Sequence, residues 1–448
     1  AICSARLSGA LNVMFFLEKS LKRAGRECNT GDWPNRQAGV GLTVQKMGRQ
    51  LALASRKLSD NPTIKAMESA MFANRSSDWM LSLKQIGYWF WLLPVVLVPL
   101  SYHLAQGSAH ADAWAFLLPI VVFGIIPALD ALLGRDPANP EERQQVPQLE
   151  GQLYYRALTL ACLPVLLGLL GWGGWILANN SLWSWVGQLG WTLSVGVVMG
   201  AIGITVAHEL VHKDPAIEQA AGGILLAAVC YGGFKVEHVR GHHVHVSTPE
   251  CASSARFGQS LYGFLPHAYK HNFLNAWKLE AERLKRKGLP AFSLHNELIW
   301  WYALSGLFLV GFSLAFGWLG AAYFLGQSFV AVTLLEIVNY LEHYGLHRRK
   351  LDNGRYERTT PSHSWNSNFL LTNLFLFHLQ RHSDHHAYAK RRYQVLRHHE
   401  SSPQLPNGYA GMIVLALFPP LWRAVMDPRV RAYYAGEEHQ LSDNQLAS

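Results

Sequence analysis

Three long stretches without lysine or arginine limit the folds open to this chain more than any other feature. They cover residues 85–134, 157–212 and 288–347 of a 448-residue chain in which 50% of the residues are hydrophobic. Apolar segments of about 20 residues without cations are typical of helices that cross a bilayer, whose hydrocarbon core is about 30 Å thick. The sequence therefore predicts an all-α integral membrane protein.

Six transmembrane helices are predicted within or close to these stretches. They lie near residues 86–105, 113–134, 153–177, 184–207, 298–317 and 320–342. The short turns around Ala109, Asn180 and Gly317 carry no cation, whereas the opposite ends of the helices carry basic runs at 283–287, 348–350 and 390–392. By the positive-inside rule, both termini are expected to face the cytoplasm.

The net charge of +9 could also suit a nucleic-acid-binding protein. The basic residues, however, are those that a cytoplasmic membrane surface requires, and no nucleic-acid-binding motif accompanies them, so we expect no nucleic-acid partner. The five cysteines form no CxxC pair, which argues against a disulfide framework and against a fused rubredoxin domain.

The chain is expected to divide near residue 75. Residues 1–75 are interpreted as a cytoplasmic N-terminal extension, and residues 76–448 as the membrane domain, with a cytoplasmic part from residue 343 onward. Within this domain we expect a buried or re-entrant segment at 217–234, a helix near 374–389 and an interfacial segment at 412–425.

Nine histidines form three tight clusters and one outlier. A lone histidine on an apolar segment is usually a packed core residue, but spacings of i, i+4, i+5 and i, i+3, i+4 put several imidazoles on one helix face, where they can converge on one ion. Nine nitrogens exceed the needs of one ion, so a two-metal site is predicted. The clusters are His208 and His212 in HELVHK, His238, His242 and His243 in EHVRGHH, and His382, His385 and His386 in RHSDHH, and the outlier is His343 in NYLEHYG.

Ligand type alone does not name the metal, because imidazole suits iron, zinc, copper and nickel. Zinc sites close with three or four protein ligands, whereas nine histidines can supply two redox-active irons and leave an open position for oxygen activation. A histidine-lined metal transporter is the alternative from another class. Transporters hold ions near the bilayer midplane, however, and these histidines lie at the predicted cytoplasmic helix ends.

Polar residues near the predicted metal site are candidates for orienting its imidazoles. Glu336 and Asn339 share a helix face with His343, and Asp130 lies near the cytoplasmic end of the second predicted span. Each could instead be a structural cap or hydrogen-bond partner. His378 could be a tenth ligand, although a packing or supporting role is favoured. Three further histidines are interpreted as non-ligands, namely His245, His398 and His399.

The four motifs HELVHK, EHVRGHH, NYLEHYG and LQRHSDHHA resemble those of the integral-membrane di-iron enzymes, which include fatty-acyl desaturases, fatty-acid hydroxylases and alkane monooxygenases. NYLEHYG and LQRHSDHH resemble the alkane 1-monooxygenase (alkane omega-hydroxylase) branch in particular, and the resemblance extends over residues 77–427. Two departures stand out. Cys251 and Ala252 replace the family's usual Asp-Pro, which puts the role of that acidic side chain in doubt, and residues 1–70 match nothing, with Met71 a family-like start.

The resemblance implies that the nine histidines bind two non-haem irons. It also implies that a medium-chain n-alkane, O2 and two electrons give a 1-alkanol and water, with electrons passed from NADH through a rubredoxin reductase and rubredoxin. The enzyme would lie in the bacterial inner membrane, with its metal site on the cytoplasmic side, and would take its alkane from the lipid.

Two questions remain open at the level of the sequence. Val122, Phe123 and Ile126 on the second predicted span could line a hydrocarbon channel, although an apolar stripe there is ordinarily helix packing. The alternative function on the same di-iron core is a fatty-acid or lipid hydroxylase or desaturase.

Overall fold

The computed structural model describes residues 79–435, so the extension predicted for residues 1–75 lies outside the described residues. Between residues 79 and 435 the chain is helical and contains no strand. Three isolated bridges pair Arg135 with Phe369, Lys350 with Tyr356, and Asn366 with Gln404.

Twelve helices in this part of the chain form the bundle and position the histidines. They are α1 (Trp79–Ala105), α2 (Leu117–Leu133), α3 (Leu153–Asn179), α4 (Trp185–Val211), α5 (Ala216–Ala227), α6 (234–245), α7 (Leu261–Arg286), α8 (Glu297–His343), α9 (Leu370–Phe375), α10 (His382–Ala387), α11 (Tyr409–Ala416) and α12 (Pro419–Tyr433). Shorter turns of helix occupy Ala111–Trp114, Gln145–Glu150, Pro361–His363 and Tyr393–Val395.

Four of these helices, α1, α3, α4 and α8, are long and apolar enough to cross a membrane. Their outward side chains are apolar and exposed, for example Leu314 at 83% and Trp318 at 80%, as a lipid-facing surface requires. Helix α8 covers two of the predicted spans because its 47 residues are interrupted at Gly317, where φ is 64°. Helix α2 is shorter, so the count of six spans stays a prediction.

Helix α4 lies at the centre of the bundle. It contacts α2, α3 and α8, and Trp191, Val195 and Val198 are fully buried. Its approach to α8 depends on Gly196, where an added Cβ would lie 2.6 Å from Cβ of Val330 and 2.9 Å from the carbonyl oxygen of Gln327. The two backbones therefore approach each other as closely as small residues allow.

Three helices contain a π-helical segment. These segments are Val121–Ile125 in α2, Met199–Ile204 in α4 and His238–His242 in α6. A π segment holds one extra residue in a turn and is frequent at functional sites. The side chains that follow each segment are thereby rotated relative to a regular helix.

The predicted helix at 374–389 is wrong in its middle. Phe377 and His378 have φ values of 47° and 56°, which an α-helix cannot contain, and they separate α9 from α10. His378 is buried there. Its Nδ1 lies 3.1 Å from the carbonyl oxygen of Tyr393 and 3.2 Å from the hydroxyl of Tyr88, so the side chain has polar partners in the protein.

The chain between α9 and α10 is held by a buried ion network. Arg381 is 1% exposed and donates to the backbone oxygen of Asp136 at 2.9 Å and to that of Leu396 at 2.7 Å. The carboxylate of Asp136 also pairs with Lys84, which is itself buried. Because Arg381 directly precedes α10, this network fixes the position of the third histidine cluster.

The other two segments predicted from the sequence are helical. Helix α5 has only 12 residues and lies against α3 and α4, with Leu225 and Leu226 buried. The 412–425 segment is divided at Phe418 into α11 and α12, as its two prolines require.

We expect Gly196→Ala to destabilise the protein, because the new methyl group meets backbone and β-branched atoms that cannot move aside. Overpacking of this kind costs about 1–3 kcal/mol. Gly168→Ala is the matched control, since nothing lies within 4 Å of a Cβ at that position on α3. Thermal unfolding in detergent measures both variants, and equal midpoints would contradict the close packing of α4 on α8.

Candidate metal centre

The nine histidines meet at one end of the bundle. His208 lies in the last turn of α4, His212 directly follows that helix, and His343 is the last residue of α8. Helices α6 and α10 supply the second and third clusters. Eight of the nine side chains are buried, and His243 is half-buried.

Five histidines form the first group, His208, His212, His238, His243 and His385. Each offers one ring nitrogen, and the five atoms lie within 4.8 Å of one another. Nε2 of His243 is 3.1 Å from Nε2 of His238 and 3.0 Å from Nε2 of His385.

The remaining four histidines form the second group, His242, His343, His382 and His386. Nε2 of His386 lies 2.8 Å from that of His382 and 3.1 Å from that of His242. Nε2 of His343 lies 3.3 Å from that of His382. The two groups are adjacent, because the rings of His243 and His386 stack with centroids 4.4 Å apart.

The groups do not follow the sequence clusters. Neighbouring histidines point to different groups, His242 to the second and His243 to the first, and likewise His386 to the second and His385 to the first. Successive residues of a helix point about 100° apart, which separates such pairs. Of the three sequence clusters, therefore, only the pair of His208 and His212 stays together in one group.

These residues fit metal ions. Metal–imidazole bonds of about 2.0–2.1 Å place two ligand nitrogens about 2.9–3.4 Å apart, close to the separations found in both groups. Nε2 of His208 and Nε2 of His212 are buried without a hydrogen-bond partner, which is costly unless an ion accepts their lone pairs. Burial lowers the pKa of His238 and of His242 well below the usual range, so both are neutral, as ligands must be.

The three residues suggested for orienting the imidazoles, Asp130, Glu336 and Asn339, bond to other groups. Asp130 accepts hydrogen bonds from the backbone and hydroxyl of Thr372, and so fastens α9 to α2. The carboxyl of Glu336 contacts Asn339 at 3.1 Å, Asn272 at 3.3 Å and the hydroxyl of Tyr231. The partners found for these side chains are thus not histidines, and a role in orienting the ligands stays a prediction.

Two residues close to the ligands were missed as candidates. Glu342 is 1% exposed, its Oε2 lies 3.1 Å from Nε2 of His382, and its Oε1 accepts from the hydroxyl of Tyr409 at 2.7 Å. Sγ of Cys251 lies 3.2 Å from Nδ1 of His242. Glu342 directly precedes His343, whereas helical periodicity favours residues four and seven positions away, such as Asn339 and Glu336. Burial raises the pKa of Cys251 to about 12, so its side chain is a thiol.

The histidines interpreted as non-ligands lie outside both groups. His245 pairs with Glu250 at 2.8 Å, His399 with Asp384 at 2.7 Å, and His398 contacts the side chain of Asn368. His378, the possible tenth ligand, is held by tyrosines, as described above.

Histidines of both groups line an apolar cavity of about 80 Å³. Most of its walls come from α2, α4, α8, α9 and α11, and they include Val122, Phe123 and Ile126, the three residues suggested for a hydrocarbon channel. His208 and His238 of the first group and His382 of the second line the same cavity, together with Glu342.

Fold and site together define a helical membrane protein with a buried histidine centre for metal at the foot of an apolar cavity. Residues 183–416 match the family model described as fatty acid desaturase. The chain is 78% identical to alkane 1-monooxygenase 2 of Pseudomonas aeruginosa over 375 residues, 84% of this chain and 100% of the relative.

Two further relatives carry the same name. Alkane 1-monooxygenase 1 of Pseudomonas aeruginosa is 70% identical over 84% of this chain and 98% of its own length. Alkane 1-monooxygenase 2 of Alcanivorax borkumensis is 59% identical over 83% of this chain and 97% of its own length. The chain therefore belongs to the alkane 1-monooxygenases, within the fatty acid desaturase family.

We expect His343→Ala to remove about one bound metal ion per chain, because the variant leaves three histidines in the second group and all five in the first. Elemental analysis of the purified full-length protein measures this. His245→Ala is the control, since that histidine lies beside the second cluster but outside both groups. Unchanged metal content in His343→Ala would count against the assignment.

Proposed function

We propose that this protein hydroxylates the terminal methyl group of medium-chain n-alkanes to give 1-alkanols, using O2 and two electrons. The observation that supports this best is the apolar cavity that reaches both histidine groups, because His208, His238 and His382 all line it. An unfunctionalised hydrocarbon offers no group for hydrogen bonding, so such a cavity is what its recognition requires.

The cavity explains selectivity by position. An alkane dissolved in the bilayer is already out of water, so it gains little hydrophobic free energy on moving between the helices. The shape of the cavity, rather than the hydrophobic effect, must therefore determine how the alkane is positioned. Walls built from residues such as Val122, Phe123 and Leu334 hold the alkane so that only its terminal methyl group approaches the histidines. Positioning of this kind can account for a large part of a rate enhancement.

The nine histidines would hold two non-haem irons, five ligands for one and four for the other. Bound iron would supply the redox chemistry that activates O2. Glu342 and Tyr409 line the same cavity, with Glu342 3.1 Å from Nε2 of His382, and their hydrogen bond of 2.7 Å would hold a proton there. The reaction consumes two protons for each water formed, so a proton held there is useful.

We propose that rubredoxin, supplied by an NADH-dependent rubredoxin reductase, delivers the electrons, as the resemblance of the histidine motifs implies. The five cysteines of this sequence form no CxxC pair of the kind that holds a rubredoxin iron, which is consistent with this. The half-buried His243 marks where the centre comes nearest to solvent. Six spans in the bacterial inner membrane, with both termini and the histidines on the cytoplasmic side, complete the proposal, and the distribution of basic residues supports it.

The direct test is product analysis. Membranes containing the protein, with rubredoxin, its reductase and NADH, should convert octane or dodecane into the 1-alkanol, with one atom of ¹⁸O2 in each product molecule, as detected by gas chromatography and mass spectrometry. Omission of rubredoxin should stop the reaction. Oxidation of acyl thioesters or lipids alone would favour the fatty-acid hydroxylase or desaturase alternative.

We expect Val122→Trp to shorten the longest alkane accepted, because the indole fills part of the cavity. Each methylene that no longer fits costs about 10–200-fold in kcat/KM, so the loss should grow with chain length. Ile120→Trp is the control, as Ile120 lies on the same helix and is 58% exposed. A chain-length profile that shifts equally in both variants would contradict this cavity as the substrate site.

A further inference from the structure

Cys251 lies beside a ligand of the second histidine group. It follows the turn after α6, is 6% exposed, and its Sγ is 3.2 Å from Nδ1 of His242. The other nitrogen of that ring, Nε2, points into the group and lies 3.1 Å from Nε2 of His386. The two ring nitrogens of His242 thus have different neighbours, the thiol on one side and the metal position on the other.

The protonation of the ring follows from this arrangement. A neutral imidazole that offers the lone pair of Nε2 to an ion must carry its proton on Nδ1. That N–H then points at Sγ, which accepts it. Loss of the acceptor would leave a buried N–H unpaired and would free the ring to turn.

We propose that Cys251 is a positioning residue for the second metal site, where its sulfur holds the ring of His242 with Nε2 toward the ion. This inference rests on the proposed assignment of the four histidines as ligands. A role of this kind concerns the affinity of the second site for its metal ion, not the hydroxylation reaction itself.

The contact of Cys251 with His242 matters because few rings of the second group have a partner at Nδ1. Nδ1 of His343 lies 3.3 Å from the carbonyl oxygen of His363 and 3.4 Å from the hydroxyl of Ser364. Nδ1 of His382 and Nδ1 of His386 are buried without a hydrogen-bond partner. Among the described residues, therefore, only two of these four rings are fixed from behind, and His242 is one of them.

The chemical nature of the partner also has a consequence. A carboxylate behind a ligating histidine draws the Nδ1 proton toward itself and makes the ring a stronger donor. A neutral thiol is a weak acceptor and does this much less. With sulfur at this position, the second ion should be held less tightly and be less electron-rich than with a carboxylate.

Metal affinity tests the proposal without relying on turnover. Metal-free full-length protein in lipid nanodiscs is titrated with Co²⁺, and the visible absorption of the bound ion is recorded for the native chain, Cys251→Ala, Cys251→Ser and Cys251→Asp. We expect the native chain to bind two ions. Cys251→Ala should weaken one of them by about 10-fold, the lower end of the range for groups that support a ligating histidine. Cys251→Ser should bind more tightly than Cys251→Ala because a hydroxyl also accepts the Nδ1 proton, and Cys251→Asp should bind at least as tightly as the native chain.

The matched control is Cys162→Ala, which removes another buried thiol, one that donates to the carbonyl oxygen of Leu158 in its own helix α3. It should leave both affinities unchanged. Equal affinities in Cys251→Ala and the native chain would overturn the proposal. An equal loss in Cys251→Ala and Cys251→Asp would also overturn it, because that result indicates packing alone. If Cys251→Ala fails to fold, the order of the Ser and Asp variants decides.

The outcome is separate from that of the proposed function. A protein that binds two Co²⁺ ions with the expected order of variants, yet oxidises no alkane once loaded with iron, would remove the proposed reaction and keep the role of Cys251. A protein that hydroxylates alkanes, but whose metal affinities are the same in all variants at position 251, would keep the proposed reaction and remove the role of Cys251.

Discussion

The structure depends on the convergence of nine imidazoles, eight of them buried, at one end of a helical bundle. Burial keeps the rings of His238 and His242 neutral, and ring nitrogens such as Nε2 of His212 have no partner within the protein, so without ions the arrangement is costly. The surrounding structure supplies the rigidity that this cost requires. Helices α4 and α8 end at the centre and pack closely at Gly196, and the buried pair of Arg381 and Asp136 fixes the approach to α10.

Much of this could be predicted from the sequence, because the relevant signals are local. Stretches without cations indicated the apolar helices, and histidine spacing indicated the nine residues that the structure brings together. The division into groups of five and four could not be predicted, since it depends on how α6 and α10 are rotated about their axes. Glu342 and Cys251 were missed for a related reason: each reaches a histidine from another segment, and such contacts leave no periodicity in the chain.

The three π-helical segments account for another part of what periodicity could not show. Each lies where its helix borders the apolar cavity or the histidines, with Val122 and Phe123 in the first, Ile202 in the second and His238 in the third. An inserted residue rotates every later side chain by about 100° relative to a regular helix. His208 therefore reaches the centre in a register that an uninterrupted α4 would not give, and the same holds for His243 on α6.

The separation of adjacent histidines between the two groups has a mechanical consequence. His385 and His386 share the backbone of the six-residue helix α10, as His242 and His243 share that of α6. An ion that pulled one ring of such a pair toward itself would also shift the other through the shared backbone. The shared backbone of each pair is thus the route by which a change in the charge of one ion would reach the geometry around its neighbour.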